Sequence, residues 1–213
     1  MLVASAAWVL TAGASAASAA TVGNFSTVAP GFSASGSRIA ANSIAVFAAD
    51  PRALAVPFAF TTDIQLMQVR VPIRTYNTFP GNVLLELREV VGGTPTGPLL
   101  ESWTLTSLMT QVTSAAASLQ TLTSVLSPVL QASKTYALVA VPQTGVLVQW
   151  YENITGAVGN FSQNPTTLAW SFAPSQTQLA FEVTGRNAIP IPSAWMMGSV
   201  LLVGLLSRRA VLR

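Results

Sequence analysis

Cysteine and histidine are both absent from this chain of 213 residues, and charged residues make up only 8% of it. Their absence excludes disulfide scaffolds, Cys/His zinc sites and catalytic triads built on histidine. The seven acidic residues are scattered, which leaves little material for a clustered calcium site or a two-metal centre. We therefore expect no catalytic residues, no metal site and no cofactor, and predict that the protein is not an enzyme.

The nearest sequence pattern to an acid and base pair is Glu86 with Glu89. In a strand, an offset of three residues points two side chains to opposite faces of the sheet. Solvated surface charge is therefore the preferred interpretation of the pair. A polysaccharide hydrolase stays open as the enzymatic alternative.

Basic residues are concentrated at one end of the chain. Arg208, Arg209 and Arg213 lie in the last six positions, and the other seven basic residues balance the seven acidic ones. The body of the chain is therefore neutral. We expect no nucleic-acid partner, because the neutralisation of phosphates needs a basic stripe.

The N-terminus has the layout of a secretory signal peptide over residues 1–19, which we expect to be helical. An apolar run over residues 2–10 is followed by small residues, and no Lys or Arg precedes the run. A start codon assigned too far downstream would explain that missing charge. Ala17 and Ala19 are the small residues that signal peptidase requires three and one positions before its cut, which leaves Ala20 as the new N-terminus. A buried N-terminal helix is the alternative.

The C-terminal segment, residues 189–213, has the composition of a membrane anchor. Residues 194–206 carry no charge, and Arg208 and Arg209 follow them. The uncharged run is shorter than the roughly 20 residues that a bilayer requires, but counting from Ile189 nearly reaches that length. We predict a transmembrane helix at about 194–207, with the arginines inside and the body outside by the positive-inside rule.

This tail resembles the PEP-CTERM family of sorting signals, in its variant with a Val/Ile-Pro-x-Pro head. The residues that carry the resemblance are Ile189, Pro190, Ile191, Pro192, Ser193, Trp195, Gly198, Ser199, Leu201, Leu202, Gly204, Arg208 and Arg209. The resemblance implies that an exosortase, a membrane-embedded cysteine transpeptidase, cuts near the proline motif and releases or transfers the body. It also implies the envelope of a Gram-negative bacterium. An uncleaved single-pass anchor and a buried core helix are the alternatives.

The body, residues 20–188, alternates apolar and polar residues over short runs separated by glycine and proline turns. In residues 67–74, Met67, Val69, Val71 and Ile73 share one face, and residues 82–90 repeat the pattern. The other predicted strands are 43–48, 56–61, 99–105, 134–141, 146–151, 167–171 and 179–183. The segment 107–133 is open to two interpretations, a long loop with one strand at about 119–125 or a helical turn at 114–118. Arg70 or Arg74 is expected to face Glu86 across neighbouring strands. The pattern predicts an all-β fold, an antiparallel β-sandwich of the jelly-roll type.

The body also resembles the choice-of-anchor R domain, a β-sandwich of bacterial surface proteins. The resemblance is carried by the strands at 56–60, 64–74 and 83–87, then by Gly93-x-Pro-x-Gly-Pro-Leu-Leu-Glu-Ser, Leu130-x-Ala-x-Lys-Thr-Tyr-Ala-Leu, Val148-x-Trp and Leu179-Ala-Phe-Glu-Val. It implies an extracellular fold and supplies no catalytic residues.

Four aromatic residues, Trp103, Trp150, Tyr151 and Trp170, are the candidates for glycan binding, because sugar rings stack on aromatic faces. Their polar partners would be Gln149, Glu152, Asn153, Asn160 and Gln163. The preferred interpretation is that the tryptophans pack in the core and that Tyr151, which alternates with Trp150, is exposed. Asn24, Asn153 and Asn160 also begin N-glycosylation sequons, which we attribute to chance in a bacterium.

Together these patterns predict an exported protein of the cell surface or the extracellular biofilm matrix. Signal peptidase and exosortase process it, the C-terminal helix holds it transiently in the membrane, and the body has a structural or adhesive role. A carbohydrate-binding module for exopolysaccharide is one alternative. An uncleaved single-pass membrane protein is another.

Overall fold

The computed structural model describes residues 18–26, 31–41, 50–75, 81–106, 119–143 and 145–188. The predicted signal peptide as far as Ala17, the strand predicted at 43–48 and the predicted sorting segment from residue 189 onwards lie outside these ranges. Among the described residues, no helix is long and apolar enough to span a membrane.

The described residues form strands joined by turns and loops. The strands are β1 (Ala19–Gly23), β2 (Phe32–Ala40), β3 (Leu54–Phe58), β4 (Ile64–Thr75), β5 (Val83–Glu89), β6 (Leu99–Leu105), β7 (Leu119–Thr123), β8 (Val129–Leu130), β9 (Tyr136–Pro142), β10 (Leu147–Asn153), β11 (Val158–Gln163), β12 (Trp170–Thr177) and β13 (Glu182–Asn187). The expected bounds of β6 are met, and most other strands lie one to four residues from their expected bounds. β1, β2, β8 and β11 are not among the predicted strands.

These strands make two antiparallel sheets, so the predicted all-β class is confirmed. The first sheet has the order β1-β13-β4-β10-β2, and β7 and β8 also pair with β4. The second sheet has the order β12-β11-β3-β9-β5-β6. Each pairing between named strands is antiparallel.

Apolar side chains from both sheets meet in one hydrophobic core. Val83, Leu85 and Leu87 of β5 are fully buried, as their alternation predicts. Trp150 of β10 lies in the same core, and its indole nitrogen donates a hydrogen bond to the Ala180 carbonyl at 2.9 Å. Each such buried side chain contributes about 1.5–3 kcal/mol to folding.

The alternation in β4 is interrupted by a β-bulge at Met67, whose predicted inward position is wrong. β13 pairs Thr184 with Gln68 and then Gly185 with Leu66, which leaves Met67 as an extra residue between them. The bulge shifts the alternation by one residue, so Leu66 and Val69 both face the core while Met67 is 47% exposed. A Cβ atom at Gly185 would collide with the Ile64 side chain, so glycine permits this close approach.

The expected ion pair between β4 and β5 does not form, because the two strands belong to different sheets. Arg70 instead pairs with Glu182 of β13 at 2.9 Å. Glu86 pairs with Arg88, its neighbour on the same face of β5, at 2.6 Å.

The first and last described residues lie side by side. β1 pairs with β13 from Ala19 opposite Arg186, and the Asn187 amide donates to the Ser18 carbonyl at 3.0 Å. The Ala188 amide donates to the Asp63 carbonyl, just before β4. Both predicted targeting segments therefore join the body at one end of the first sheet, which we call the exit end.

Candidate functional site

The outer face of the second sheet has a floor of small apolar residues. Ala53, just before β3, and Val139 of β9 belong to a second hydrophobic cluster with Phe161, on the side of the sheet opposite the main core. These side chains are small. Aromatic side chains rise above them on one side, and the 91–98 loop rises above them on the other. The result is a groove of about 420 Å³ that crosses the strands.

One wall of the groove is aromatic. Trp170 of β12 lies opposite Gln163 of β11 in the register, and both residues line the groove. Phe172, two residues along the same strand, packs on Phe161 with ring centroids 4.9 Å apart. Trp170 is partly buried by the apolar cluster and keeps part of its ring open to the groove.

The opposite wall is polar and carries no net charge. Glu86 and Arg88 of β5 form an ion pair there, and an Arg88 Nη atom also donates to the Gly97 carbonyl at 3.3 Å. The loop between β5 and β6 adds Pro95 and Thr96. β5 and β12 are four strands apart, which corresponds to about 19 Å across the sheet.

This arrangement suits an elongated, neutral and amphipathic ligand. A sugar ring presents C–H groups that pack on an indole ring, while its hydroxyls pair with groups such as the Glu86 carboxylate and the Arg88 guanidinium. The lining contains one carboxylate, whereas most glycosidases use two. The groups needed to bind and orient a glycan are thus present in the groove, namely the Trp170 ring for stacking and the Glu86 and Arg88 side chains for hydrogen bonds.

The chain matches no protein-family model, no curated protein and no solved structure. No relative therefore supplies a family, an activity or a partner. The resemblances to the PEP-CTERM and choice-of-anchor R families stay predictions from the sequence.

The predicted exposure of Tyr151 is wrong, since only 3% of this residue is accessible. Its ring packs against Phe32 of β2 at 5.7 Å between centroids, in a small cluster with Ala180. The guanidinium carbon of Arg74 lies 5.6 Å from the Tyr151 centroid. Tyr151 does alternate with Trp150, as expected, but neighbouring side chains cover the face that it reaches.

The predicted packing of the tryptophans fits two of the three. Trp150 is a core residue, and Trp103 packs partly against the same core while its indole nitrogen donates to the Thr123 carbonyl at 3.0 Å. Trp170 lies on the other side of the second sheet. Of the four aromatic candidates, Trp170 is therefore the one that lines the groove.

Among the predicted polar partners, Gln163 lines the groove, whereas Asn153 and Asn160 do not. These two asparagines and Asn24 are the residues that begin the three sequons. Asn24, Asn153 and Asn160 are buried, and their side-chain amides bond the backbone of residues 177–181 or nearby turns. Gln149 accepts from Arg74, and Glu152 accepts from Ser37. The three sequon asparagines therefore have structural roles in the folded body.

Sequence reasoning missed Glu86, Arg88, Pro95 and Thr96 as groove residues. The sequence predicts solvated surface charge for Glu86, yet its side chain is only 12% exposed. Long-range pairing through β9, β3 and β11 brings it to the same face as Trp170. The available signal was the alternation of alanine with large core residues at the start of β3, where Ala53, just before the strand, and Ala55 flank Leu54.

Two ionisable side chains near the exit end have shifted pKa values. Burial raises the pKa of the Tyr136 hydroxyl, which accepts a hydrogen bond from the Gln131 amide. A hydrogen bond to Glu89 raises the pKa of the Lys134 ammonium group. Both residues follow β8, where the chain turns into β9.

The predicted processing residues fall mostly beyond the described ranges. Ala17 and the sorting residues Pro190, Pro192, Ser193, Trp195, Gly198, Gly204, Arg208 and Arg209 lie outside them. Ala19 and Ala20 are the first two residues of β1. Within the described part of the chain, no three acidic side chains are grouped so that they could hold a metal ion.

Proposed function

We propose that this chain is an exported envelope protein with a removable signal peptide, a non-catalytic β-sandwich body and a C-terminal sorting helix. In this proposal the body reaches the cell surface or the extracellular matrix after an exosortase cuts near Pro190 and Pro192. The layout of the two sequence ends supports it.

Within the all-β class, the topology that we propose for the body is a jelly roll. The strand orders β2-β10-β4-β7 and β3-β9-β5-β6 support it, because successive strands from β2 to β5 alternate between the two sheets. Such double-sheet folds are common in binding proteins without catalytic activity.

The observation that carries the processing proposal is that the predicted cuts remove one residue of the folded body at the N-terminal end and none at the C-terminal end. A cut after Ala19 removes one of the five residues of β1, and a cut beyond Ala188 removes none of β13. The two sites also lie at the same end of the body, since Ser18 bonds Asn187. Signal peptidase must therefore cut before Ala19 and Ala20 pair with β13, whereas an exosortase can cut beyond Ala188 while the sheet stays folded.

The test is intact-mass measurement and C-terminal peptide mapping of the protein from its native host, with and without the exosortase. A C-terminus between Pro190 and Ser193 that appears only when the enzyme is present would support the proposal. A C-terminus at Arg213 in both strains would contradict processing and leave an uncleaved membrane protein.

The groove favours a second candidate function, the binding of a neutral polysaccharide strand by the body. The combination of an indole wall, an apolar floor and the compensated Glu86–Arg88 pair supports this candidate. In this candidate function the main stacking residue is Trp170, not Tyr151 as the sequence predicts.

Affinity electrophoresis in gels that contain the host's exopolysaccharide tests this second function. Trp170→Ala is expected to weaken retardation roughly tenfold, the equivalent of about 1.4 kcal/mol. Trp103→Ala is the matched control, because this indole lies outside the groove lining. No retardation of the natural protein on any matrix polysaccharide would remove the candidate, and release of reducing sugar would indicate a hydrolase instead.

A further inference from the structure

A turn between β7 and β8 exposes an unusual concentration of large apolar side chains. Val125 is 84% exposed and Leu126 is 69% exposed, and Val129 and the bulged Met67 lie beside them with about half of their surface accessible. The Ser124 amide donates to the Met67 carbonyl, which joins the turn to the bulge. We call these four side chains the apolar turn.

The apolar turn is held in place by a buried carboxylate. Glu101 of β6 accepts hydrogen bonds from the Ser124 hydroxyl and from the amides of Val125 and Leu126. The Ser127 amide donates to the Ser124 hydroxyl, and Ser127 adopts a φ of 47°, a conformation that is uncommon outside glycine. Charge-assisted hydrogen bonds of this kind fix the backbone, so the structure presents Val125 and Leu126 to solvent in a set geometry.

The apolar turn lies beside the exit end. Ile64, the first residue of β4, pairs with Asn187 on one edge and with Leu130 on the other. Asn187 and Leu130 are therefore two strand spacings apart, about 10 Å. Asp63 connects the two sides, because its carbonyl accepts from Ala188 and its carboxylate accepts from Ala132.

The predicted membrane helix begins at about residue 194, six residues after Ala188. A fully extended linker of that length spans about 20 Å at most. While the helix is in the bilayer, the exit end must therefore lie within that distance of the membrane. Val125 and Leu126 of the apolar turn are the most exposed large apolar side chains of the described body, well above the half-exposed Val91 and Leu99.

We infer that the apolar turn inserts into the lipid interface while the chain is anchored. The inference rests on the proposed C-terminal helix. Four side chains form too small a surface for a stable dimer, which needs about 800 Å² from each partner. They suffice for a body that is already tethered, because tethering replaces an encounter in solution with a local one.

The experiment uses the full chain with a single fluorescent label. Since the chain has no cysteine, Leu126→Cys and the control Ser171→Cys each give one labelling site. Ser171 is exposed on β12, one edge strand of the second sheet. The other edge strand is β6, which carries Glu101 and so lies next to the apolar turn. Each labelled protein is reconstituted into phosphatidylcholine and phosphatidylglycerol liposomes, and flotation, emission wavelength and quenching by lipid-attached quenchers are measured.

The expected result is flotation of both proteins, with a blue shift and strong quenching of the Leu126 label and neither effect at Ser171. The quenching depth should be roughly 5–10 Å into the headgroup region. Flotation with a Leu126 label that stays in water would overturn the inference and leave the anchor proposal intact. Absence of flotation would overturn the anchor proposal, and this inference with it.

A label already shielded without lipid would also overturn the inference. If the label is shielded in detergent and the shielding increases with protein concentration, the apolar turn contacts a second copy of the chain. Shielding that is independent of concentration would assign it to a segment of the same chain.

Discussion

The groove and the apolar turn both expose large apolar side chains, but their shapes and neighbours differ. Trp170 stands in a concave face above a floor of alanine and valine, with a paired acid and base opposite. Leu126 projects from a convex turn whose polar groups are bonded within the turn and to Glu101. The first environment offers hydrogen bonds to a small polar ligand. The second offers only apolar contact, which suits a lipid surface.

Glu86 and Glu101, on the paired strands β5 and β6, show the same difference between the groove and the apolar turn. In the β5 and β6 register, Glu86 lies opposite Ser102 and Glu101 lies opposite Leu87, so the two carboxylates point to opposite faces. Glu86 faces the groove with a guanidinium partner, whereas Glu101 faces inward and holds the apolar turn. Residue type alone therefore does not separate a binding role from a structural role.

The largest predicted effect follows from that difference between the glutamates. Glu101→Ala should lower the free energy of unfolding by about 2–3 kcal/mol, because the bonds lost are to a buried charged group. Glu86→Ala should cost less, about 1–1.5 kcal/mol, because it loses a single partner, the Arg88 guanidinium, which keeps some contact with water. Urea unfolding of the two variants measures both values. Equal losses would contradict the separate roles assigned to the two residues.

A second prediction sharpens the polar character of the groove. Arg88→Met removes the guanidinium group but keeps much of the side-chain length, and should weaken polysaccharide binding roughly fivefold, or about 1 kcal/mol. Arg70→Met is the matched control, because Arg70 makes a similar ion pair with Glu182 outside the groove lining. Affinity electrophoresis compares the two. Equal weakening would assign the effect to overall charge instead of the groove.

A third prediction concerns the exit end at alkaline pH. Burial raises the pKa of Tyr136 above its usual 10.0, so the unfolded chain loses that proton first as the pH rises. The stabilising contribution is fully present below about pH 10 and is lost as the pH rises through the folded pKa. Urea midpoints between about pH 8 and pH 11 should fall less steeply in Tyr136→Phe than in the natural protein. Identical slopes would contradict the role of this hydroxyl.

The smallest predicted effect is on stability at the apolar turn itself. Leu126→Ser should change the free energy of unfolding by no more than about 0.5 kcal/mol, because the side chain packs against little of the body. The same variant should bring less of the body into contact with liposomes. Thermal unfolding without lipid measures the first quantity. A loss above about 1 kcal/mol would show that Leu126 belongs to the core.

Local patterns in the sequence were sufficient for the central strands. The alternation of Val83, Leu85 and Leu87 predicted their burial, because period-two patterning directly reflects which face meets the core. The same rule failed at Met67, where a bulge inserts one residue and the partner strand sets its position. Edge strands such as β1 and β2 have few large apolar residues, and pairing with β13 and β10 orders them.

The candidate site was less predictable than the fold. Tyr151 alternates as expected, but its exposure depends on Phe32, which is distant in sequence. Trp170 and Glu86 share the groove only because three strands between them are paired in one register. Such long-range pairing is set by the whole sheet and leaves no local pattern in either segment.

Hydroxyl-radical footprinting of the full chain in liposomes tests most directly whether the groove and the apolar turn have separate partners. Side-chain oxidation at Met67, Leu126 and Trp170 is compared without lipid, with lipid, and with lipid plus oligosaccharides from the host's exopolysaccharide. We expect lipid to protect Met67 and Leu126, and the oligosaccharides to protect Trp170 alone. Protection of both regions by the same partner, or of neither region by either partner, would contradict the account.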